Sequence, residues 1–179
     1  MKKYLFKSER LGFRLWLEED SIPFAKMNSD SEVMEFFPKT LTLEESNHLV
    51  KKIKSMFSQY EYGLYAVDEL ETGEFIGFIG FWFTSFESYF TPALEIGWRI
   101  RREKWFKGYA TEGGKRCLKF GFETLNFSEI CSLTSKINLK SEKVMQKIGM
   151  VKIDEFDHPK IQGDNKLKKH VLYKAKKPF

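Results

Sequence analysis

A short stretch of small residues separates an apolar strand pattern from a helical pattern at residues 102–114, R-E-K-W-F-K-G-Y-A-T-E-G-G. Residues 94–100 upstream predict a strand, so Gly108 lies at the turn into the helix. The first turn of a helix has unpaired N–H groups and about half a positive charge, which small residues leave accessible. The pattern therefore predicts a binding site for a phosphate-bearing ligand. The helix itself is predicted from small and apolar residues at helical spacing: Ala110, Gly114, Cys117, Leu118, Gly121, Phe122 and Leu125.

Two common phosphate motifs do not fit this loop. It lacks the Gly-Lys-Ser/Thr ending of a P-loop, and it has one glycine where the dinucleotide fingerprint G-x-G-x-x-G needs three. It resembles instead the pyrophosphate loop Q/R-x-x-G-x-G/A of the GNAT superfamily of N-acetyltransferases, here Trp105-x-x-Gly108-x-Ala110. The string from Trp105 to Glu112 looks like the branch that contains the ribosomal-protein alanine acetyltransferases, where an aromatic residue commonly replaces the Gln or Arg. Phe106 departs from the glycine that is often found there.

A second segment resembles the same superfamily at the expected distance. Residues 138–150, N-L-K-S-E-K-V-M-Q-K-I-G-M, are similar to its N-x-x-S segment followed by a short amphipathic helix that ends in K-x-G-F. Asn138 is expected to cap this helix and Gly149 to end it. Its apolar stripe is formed by Val144, Met145 and Ile148. Without the first motif, this segment would indicate only a capped surface helix.

The resemblance implies acetyl-CoA as co-substrate and no metal. It implies that a loop binds the pyrophosphate: Trp105, Phe106, Lys107, Gly108, Tyr109, Ala110 and Thr111. It also implies that the strand at Leu94 splays from the next strand, and that the pantetheine arm lies in the gap. Backbone groups of Trp98, Arg99 and Ile100 would bind the arm there, together with Asn138. Trp98 has a second interpretation as an ordinary core aromatic residue.

The implied reaction is acetyl transfer to an amine, which must lose a proton before it attacks a thioester. Glu95 is the candidate base, because it interrupts an apolar strand where desolvation would raise its pKa, thirteen residues before Gly108. The alternatives are a Glu that points to water, and proton transfer through ordered water. Many relatives have a Tyr as general acid where this chain has Met145, so Ser141 is the candidate acid. Ser141 has a second interpretation as a polar surface residue of the helix.

The sequence leaves the acceptor open. An N-terminal α-amine of a protein such as a ribosomal protein is expected from the resemblance, because an α-amine has a lower pKa than lysine. The alternatives are a small-molecule amine, a non-catalytic acyl-CoA-binding module, and a ribosome- or RNA-associated protein that uses the basic residues 166–179. His158 and His170 are expected to face each other across a hairpin, but two histidines make a poor zinc site. Six aromatic residues could line an acceptor pocket, although core packing is the default: Phe36, Phe37, Trp82, Phe83, Tyr89 and Phe90.

These residues must be positioned by an α/β fold. The expected order is a strand, two helices, a meander of three strands, a helix, a strand, a helix and two strands. The strands are expected at 11–17, 63–68, 74–83, 94–100, 129–134, 150–156 and 170–174, with helices at 20–27, 42–60 and after residues 108 and 138. Residues 31–37 are expected to form another helical turn. The resemblance implies a single domain, residues 1–179, with a mixed, mostly antiparallel sheet of about seven strands flanked by helices.

Composition fits an enzyme domain. The 42% hydrophobic content and 18 Phe supply one large core. The apolar run 75–83 has only nine residues and is too short for a membrane span. The charged start predicts no signal peptide, and the two Cys suit reduced thiols in the cytoplasm. The net charge of +5 comes from six Lys after residue 165, so the remainder carries −1. Such a run predicts a solvated tail, and nucleic acid is an unexpected partner. The sequence does not distinguish a monomer from a homodimer.

Overall fold

The computed structural model describes residues 3–163 and 165–177. Its eight strands are β1 Phe6–Lys7, β2 Leu11–Arg14, β3 Leu64–Glu69, β4 Phe75–Thr84, β5 Ala93–Ile100, β6 Glu129–Ser135, β7 Val151–Asp157 and β8 Lys169–Lys176. Its four α-helices are α1 Ser21–Ser29, α2 Leu43–Tyr60, α3 Tyr109–Glu123 and α4 Leu139–Lys147. Short 3-10 helices lie at Glu18–Asp20 and Arg102–Lys104.

The strands form one mixed sheet in the order β1-β2-β3-β4-β5-β6-β8-β7. Every neighbouring pair is antiparallel except β5 and β6, which run parallel. The α/β fold class and the mostly antiparallel sheet are confirmed. The expected number of about seven strands is one too few, because β1 has only two residues and shows no alternating pattern.

The parallel pair β5 and β6 separates almost as soon as it forms. Its register contains one partnership, Glu95 with Cys131. The Ser132 hydroxyl donates a hydrogen bond to the Ile96 carbonyl at 2.9 Å, just past that point. Towards the carboxyl ends of both strands the backbones have no further pairing. The predicted splay is therefore present, and its closed end lies at Glu95.

The two faces of the sheet bury two different cores. On one face, α3 and α4 cover a core that contains Ile96 of β5 and Leu118 of α3. On the other face, α1 and α2 cover a core that contains Phe78 of β4. Successive residues of a strand point to opposite faces. The even-numbered residues of β5 therefore face α3, and Glu95, Gly97 and Arg99 face the α1 and α2 side.

A buried arginine ties β2 to the start of α1. The Arg14 side chain is 2% exposed and forms ion pairs with Asp20 at 2.6 Å and Asp68 at 2.7 Å. Asp20 Oδ2 also accepts the Leu17 N–H. These contacts turn the chain away from the sheet, so β2 ends at Arg14 rather than at residue 17 as expected.

Two helical predictions have different outcomes. The Thr42 hydroxyl accepts the Glu45 N–H and the Glu45 carboxylate accepts the Thr42 N–H, which confirms the capping box that begins α2. Residues 31–37 form turns rather than a regular helix, although the Met34 N–H donates to the Asp30 carbonyl at 3.0 Å, the hydrogen bond of a single helical turn. The Asp30 carboxylate accepts the Glu32 N–H, as the side chain of an N-cap residue does.

The strand expected at 170–174 is confirmed, whereas the prediction that the lysines after residue 165 form a solvated tail is wrong. Residues 169–176 form β8, which lies between β6 and β7 inside the sheet. Two of its lysines are paired, Lys169 with Asp157 at 3.1 Å and Lys174 with Glu129 at 2.7 Å. The lysines of K-H-V-L-Y-K-A-K gave no sign that this strand is paired on both sides. Removal of this segment would disrupt the sheet, so nucleic-acid binding cannot be tested by truncation.

Within the described residues, none of the helices is both long enough and apolar enough to pass through a membrane.

Candidate active site

The predicted phosphate loop lies at the mouth of the gap between β5 and β6. Gly108 has φ +81° and is the N-cap of α3, and no side chain of the described residues caps this helix. The first helical hydrogen bond runs from Glu112 N to Gly108 O at 2.9 Å. The N–H groups that precede Glu112 therefore have no acceptor within the helix, and they form an anion-binding terminus as expected.

Phe106 also has positive φ, at +60°, and its side chain is 90% exposed. The backbone thus takes the left-handed conformation that a glycine adopts at low cost, while the ring points to solvent. The neighbouring Trp105 is anchored, because its indole N–H donates to the Ile100 carbonyl at 2.7 Å.

Two basic side chains near the loop were not predicted. A Cβ added at Gly108 would lie 3.5 Å from Arg10 Nη2, and the Arg10 guanidinium lies 4.6 Å from the centre of the Tyr109 ring. Lys140 of α4 lies 4.6 Å above the Trp105 ring. Lys140 adds positive charge beside the helix terminus, whereas the charge of Arg10 is paired with Glu112 of the first turn of α3 at 2.7 Å. Both basic residues come from parts of the chain distant from the loop, so no local pattern could reveal them.

The backbone of Trp98 faces the gap. Ile96 O accepts from Ser132 and Ile100 O accepts from Trp105, so even-numbered residues of β5 direct their carbonyls away from β4. Trp98 lies between them and has the same orientation, while its side chain packs against the α3 core. The Ile100 carbonyl is already occupied, and Arg99 directs its backbone towards β4. Binding of a pantetheine arm by these groups stays a prediction, with Trp98 as its central residue.

The opposite wall of the gap is formed by the start of α4. Asn138 Oδ1 accepts the Ser141 N–H at 3.2 Å, which confirms the predicted N-cap. Asn138 Nδ2 donates to Thr134 Oγ1 at 3.0 Å and to Ser141 Oγ at 3.1 Å. The Ser141 oxygen thus accepts a hydrogen bond, and its own proton has no acceptor among the described residues. Met145, at the position where many relatives have Tyr, is 1% exposed in the core.

Glu95 lies at the closed end of the gap. Its side chain is half-buried on the α1 and α2 face, and Thr84 Oγ1 donates to its Oε2 at 2.6 Å. Desolvation raises the pKa of Glu95 to about 7, although the hydrogen bond from Thr84 opposes the rise. The side chain is thus directed onto the α1 and α2 face, and its second carboxylate oxygen, which has no hydrogen bond among the described residues, is left for a proton-transfer partner. Thr84 was not predicted, because only the register of β4 with β5 brings it there.

Two other predicted site residues, Arg99 and Phe37, lie on the same α1 and α2 side of the sheet as Glu95, which is called the Glu95 face below. The Arg99 side chain is 8% exposed and donates through Nη1 to Asn28 Oδ1 at 2.6 Å. Its guanidinium lies 4.2 Å from the centre of the Phe37 ring, which is itself 40% exposed. Phe83 and Tyr89 are also exposed, by 41% and 68%, so the default interpretation of core packing fails for these three aromatic residues.

The histidine pair lies where the chain leaves β7 and enters β8. The rings of His158, which follows β7, and His170 of β8 are 4.8 Å apart and meet diagonally across the hairpin, since the register pairs His170 with Phe156. Burial lowers the pKa of both, that of His158 to about 4, so both are neutral at pH 7. Phe86 and Phe156 pack around them. In the described part of the chain, no group of three or more His, Cys, Asp or Glu side chains is placed to hold a metal ion.

Both cysteines have free thiols and are buried. Burial raises the pKa of the Cys131 thiol, opposite Glu95, to about 12, and it also raises that of Cys117. Neither thiol is an effective nucleophile at neutral pH.

Comparison with known proteins agrees with this geometry. The family model of the acetyltransferase (GNAT) domain matches residues 10–151. The uncharacterized N-acetyltransferase YnaD of Bacillus subtilis is 31% identical over 145 residues, which is 80% of each chain. The crystal structure of a GNAT-family acetyltransferase from Bacillus anthracis superposes with a TM-score of 0.79 at 28% identity, covering 96% of this chain and 97% of that one. The ribosomal-protein-S5-alanine acetyltransferase of Vibrio fischeri has the same fold, with a TM-score of 0.76 at 18% identity and 96% coverage of both chains.

Proposed function

Because the chain belongs to the GNAT family of acetyltransferases, we propose that it transfers the acetyl group of acetyl-CoA to a primary amine. The observation that carries the proposal is the position of Glu95. A carboxyl with a pKa of about 7 lies at the closed end of the gap, and an uncapped helix terminus lies at its open end. These two ends match a phosphate-bearing donor that delivers a reactive group beside a base.

In this proposal the chain's own groups hold acetyl-CoA along the gap. The first N–H groups of α3 and the basic side chains of Arg10 and Lys140 bind the phosphates. The backbone of Trp98 and the side chain of Asn138 lie on the two walls and bind the pantetheine amides. Acetyl-CoA supplies an activated acyl thioester when bound, and the protein supplies the orientation of that thioester.

Glu95 acts as the base. An acceptor amine arrives mainly protonated and becomes a nucleophile only after it loses a proton. The hydrogen bond from Thr84 fixes one carboxylate oxygen of Glu95. The other oxygen takes the proton from the amine, which a carboxylate with a pKa of about 7 does efficiently near neutral pH.

Ser141 assists departure of the thiolate. Its oxygen already accepts from Asn138, so its hydroxyl proton is oriented away from that residue. In this role it donates its proton to the sulfur as the carbon–sulfur bond breaks, and it regains a proton from water.

Ser141→Ala should lower kcat by about 10- to 100-fold, at the lower end of the effects of single proton-transfer groups. The affinity for CoA should stay unchanged, because Asn138 still caps α4 through the Ser141 N–H. Single-turnover rates and calorimetric CoA binding measure the two effects. Ser55→Ala, on the exposed side of α2, is the control. A variant with full turnover would remove Ser141 from the mechanism.

We infer an α-amine as the acceptor. Its pKa of about 7.7–8.0 lies near that of Glu95, whereas a lysine amine at about 10.4 would hold its proton far more tightly. An N-terminal α-amine of a protein is one form of this acceptor, supported by the sequence resemblance to the branch that modifies ribosomal proteins. A small-molecule amine is the alternative acceptor, favoured by the unfilled space on the Glu95 face at Gly97.

The test is thiol release from acetyl-CoA with a panel of amino acids, amines and N-terminal peptides. Turnover of at least one primary amine supports the proposal. Tight CoA binding without turnover of any amine would contradict it and favour an acyl-CoA-binding module. Mass spectrometry of cellular protein N-termini, with and without the protein, separates the two forms of acceptor.

A further inference from the structure

Arg99 is a buried cation without a carboxylate partner. Arg14 is buried to a similar degree and forms ion pairs with two aspartates. Arg99 is 8% exposed, yet among the described residues no carboxylate lies within ion-pair distance of it. Proteins rarely bury a charge in this way, because its desolvation is uncompensated.

The Arg99 guanidinium is held in place by neutral groups. Asn28 accepts one of its N–H groups, and the rings of Phe37 and Phe78 lie 4.2 and 5.4 Å from its centre. Its Nε is fully buried and has no hydrogen-bond partner among the described residues. Burial lowers the pKa of Arg99 to about 10, so the group remains charged at neutral pH. The side chain is therefore oriented and still has a donor to satisfy.

Open space adjoins this cation on the Glu95 side. A Cβ added at Gly97 would meet no atom within 4 Å. Gly97 lies between Glu95 and Arg99 on the same face of β5, and alternate residues of a strand are about 7 Å apart. A compact molecule above Gly97 is within reach of both side chains.

We propose that this space binds an acceptor that carries a carboxylate beside its amine, with the carboxylate on Arg99 and the amine directed to Glu95. The inference rests on the proposed function and specifies its substrate class. A carboxylate would compensate the Arg99 charge, and a guanidinium favours such pairing. The same charge disfavours an acceptor with a second cationic group. The depth of Arg99 favours a small amino-carboxylate over a protein N-terminus.

The first experiment uses the wild-type protein. Free amino acids and ω-amino carboxylates of increasing length are compared with their amides and with alkylamines of equal length. Converting the carboxylate to an amide lowers the pKa of the neighbouring α-amine, so the amide loses its proton more easily. On basicity alone the amide would therefore react faster, and a faster reaction of the carboxylate indicates that the protein binds the carboxylate. We expect kcat/KM to be higher for the carboxylates by about 10- to 100-fold, the usual effect of a hydrogen bond to a charged group. Equal values would overturn the inference, as would a preference for acidic N-terminal peptides alone. A lack of turnover with every amine would instead overturn the proposed function.

The second experiment changes the cation. Arg99→Gln should abolish the preference for carboxylates, and it should do so by raising the KM of the carboxylates rather than by lowering their kcat. Turnover of the alkylamines and the affinity for CoA should stay unchanged. Arg99→Lys should retain part of the preference. Arg116→Gln, at an arginine that stacks on Phe6 and Phe120 of the α3 core, is the matched control. Equal losses for carboxylates and alkylamines would indicate a structural role for Arg99.

A third variant keeps the inference testable if Arg99→Gln does not fold. Gly97→Val adds a side chain where space is open and suits a strand. We expect a normal melting temperature and normal CoA binding, with a loss of turnover for carboxylates and alkylamines alike. Unchanged turnover would place the acceptor elsewhere.

Discussion

Replacing Glu95 by Gln should lower turnover by about 10²- to 10⁴-fold while acetyl-CoA binding is unchanged. Glutamine keeps the shape of the side chain and an oxygen that can accept from Thr84 Oγ1. It cannot take a proton from the amine. Thiol release under saturating acetyl-CoA and amine measures the loss, and calorimetry measures CoA affinity. Glu129→Gln, on the neighbouring strand β6 and paired with Lys174, should retain turnover.

The pH dependence distinguishes a base from a structural residue. Wild-type kcat/KM should rise with pH through about 7, because the ionised fraction of Glu95 rises there. Glu95→Gln should lose this dependence. Retention of the same rise in the variant would favour a water relay to other groups.

The contribution of Glu95 to the free energy of unfolding should fall with rising pH, whereas its contribution to activity should rise. The pKa of Glu95 is raised on folding, so the folded state binds more protons than the unfolded state between about 4.5 and 7. Stability from this group is present below that range and is lost as the pH rises through it. At pH 8 the Gln variant should therefore melt at a higher temperature than the wild type, and at pH 4.5 the difference should disappear. A lower melting temperature at pH 8 would show that Glu95 serves the fold.

Gly108→Val should remove most of the stabilisation that acetyl-CoA and CoA give the wild type. A ligand at 100 times its Kd adds about 2.7 kcal/mol, or about 5–10 °C in a protein of this size. A β-branched residue resists φ +81° and covers the N–H groups of the helix terminus. Thermal melts with and without CoA measure the shift.

The control variant must have the same backbone strain at a position outside the proposed CoA-binding loop. Gly163 has φ +70°, and an added Cβ there meets no atom within 4 Å. Gly163→Val should lower the melting temperature without ligand by a similar amount and keep the full CoA shift. A full shift in Gly108→Val would mean that the phosphates bind elsewhere.

Local signals predicted the two helix caps of the candidate site well. Gly108 and Asn138 are helix caps, and the conformation of a cap depends on residues within one turn. The position of Glu95 at the closed end followed from the resemblance, and its raised pKa followed from the apolar strand around it. The roles of these residues in binding and catalysis stay predictions.

The missing parts depend on contacts between distant residues. Arg10 reaches the phosphate loop from the turn between β1 and β2, and Thr84 reaches Glu95 through strand register. Arg99 was predicted to bind through its backbone, but the side chain is the group that faces the open space. Residues 170–174 were correctly expected to form a strand, but the lysine run around them was assigned to a solvated tail because charge dominates its composition, whereas β8 is held by pairing on both sides.

The position of β8 between β6 and β7 has a consequence for how the protein reaches this structure. β6 and β7 are synthesised before β8, so neither has its antiparallel partner until residues 169–176 have been made. β8 begins about forty residues after the start of β6. Contacts over such separations form slowly, because the loop must close before the pairing rewards it. Until then the backbone of β6, with Ile130 and Leu133, is an open edge that can pair with another chain. The rate at which β8 inserts therefore sets how long each newly made molecule is prone to aggregate.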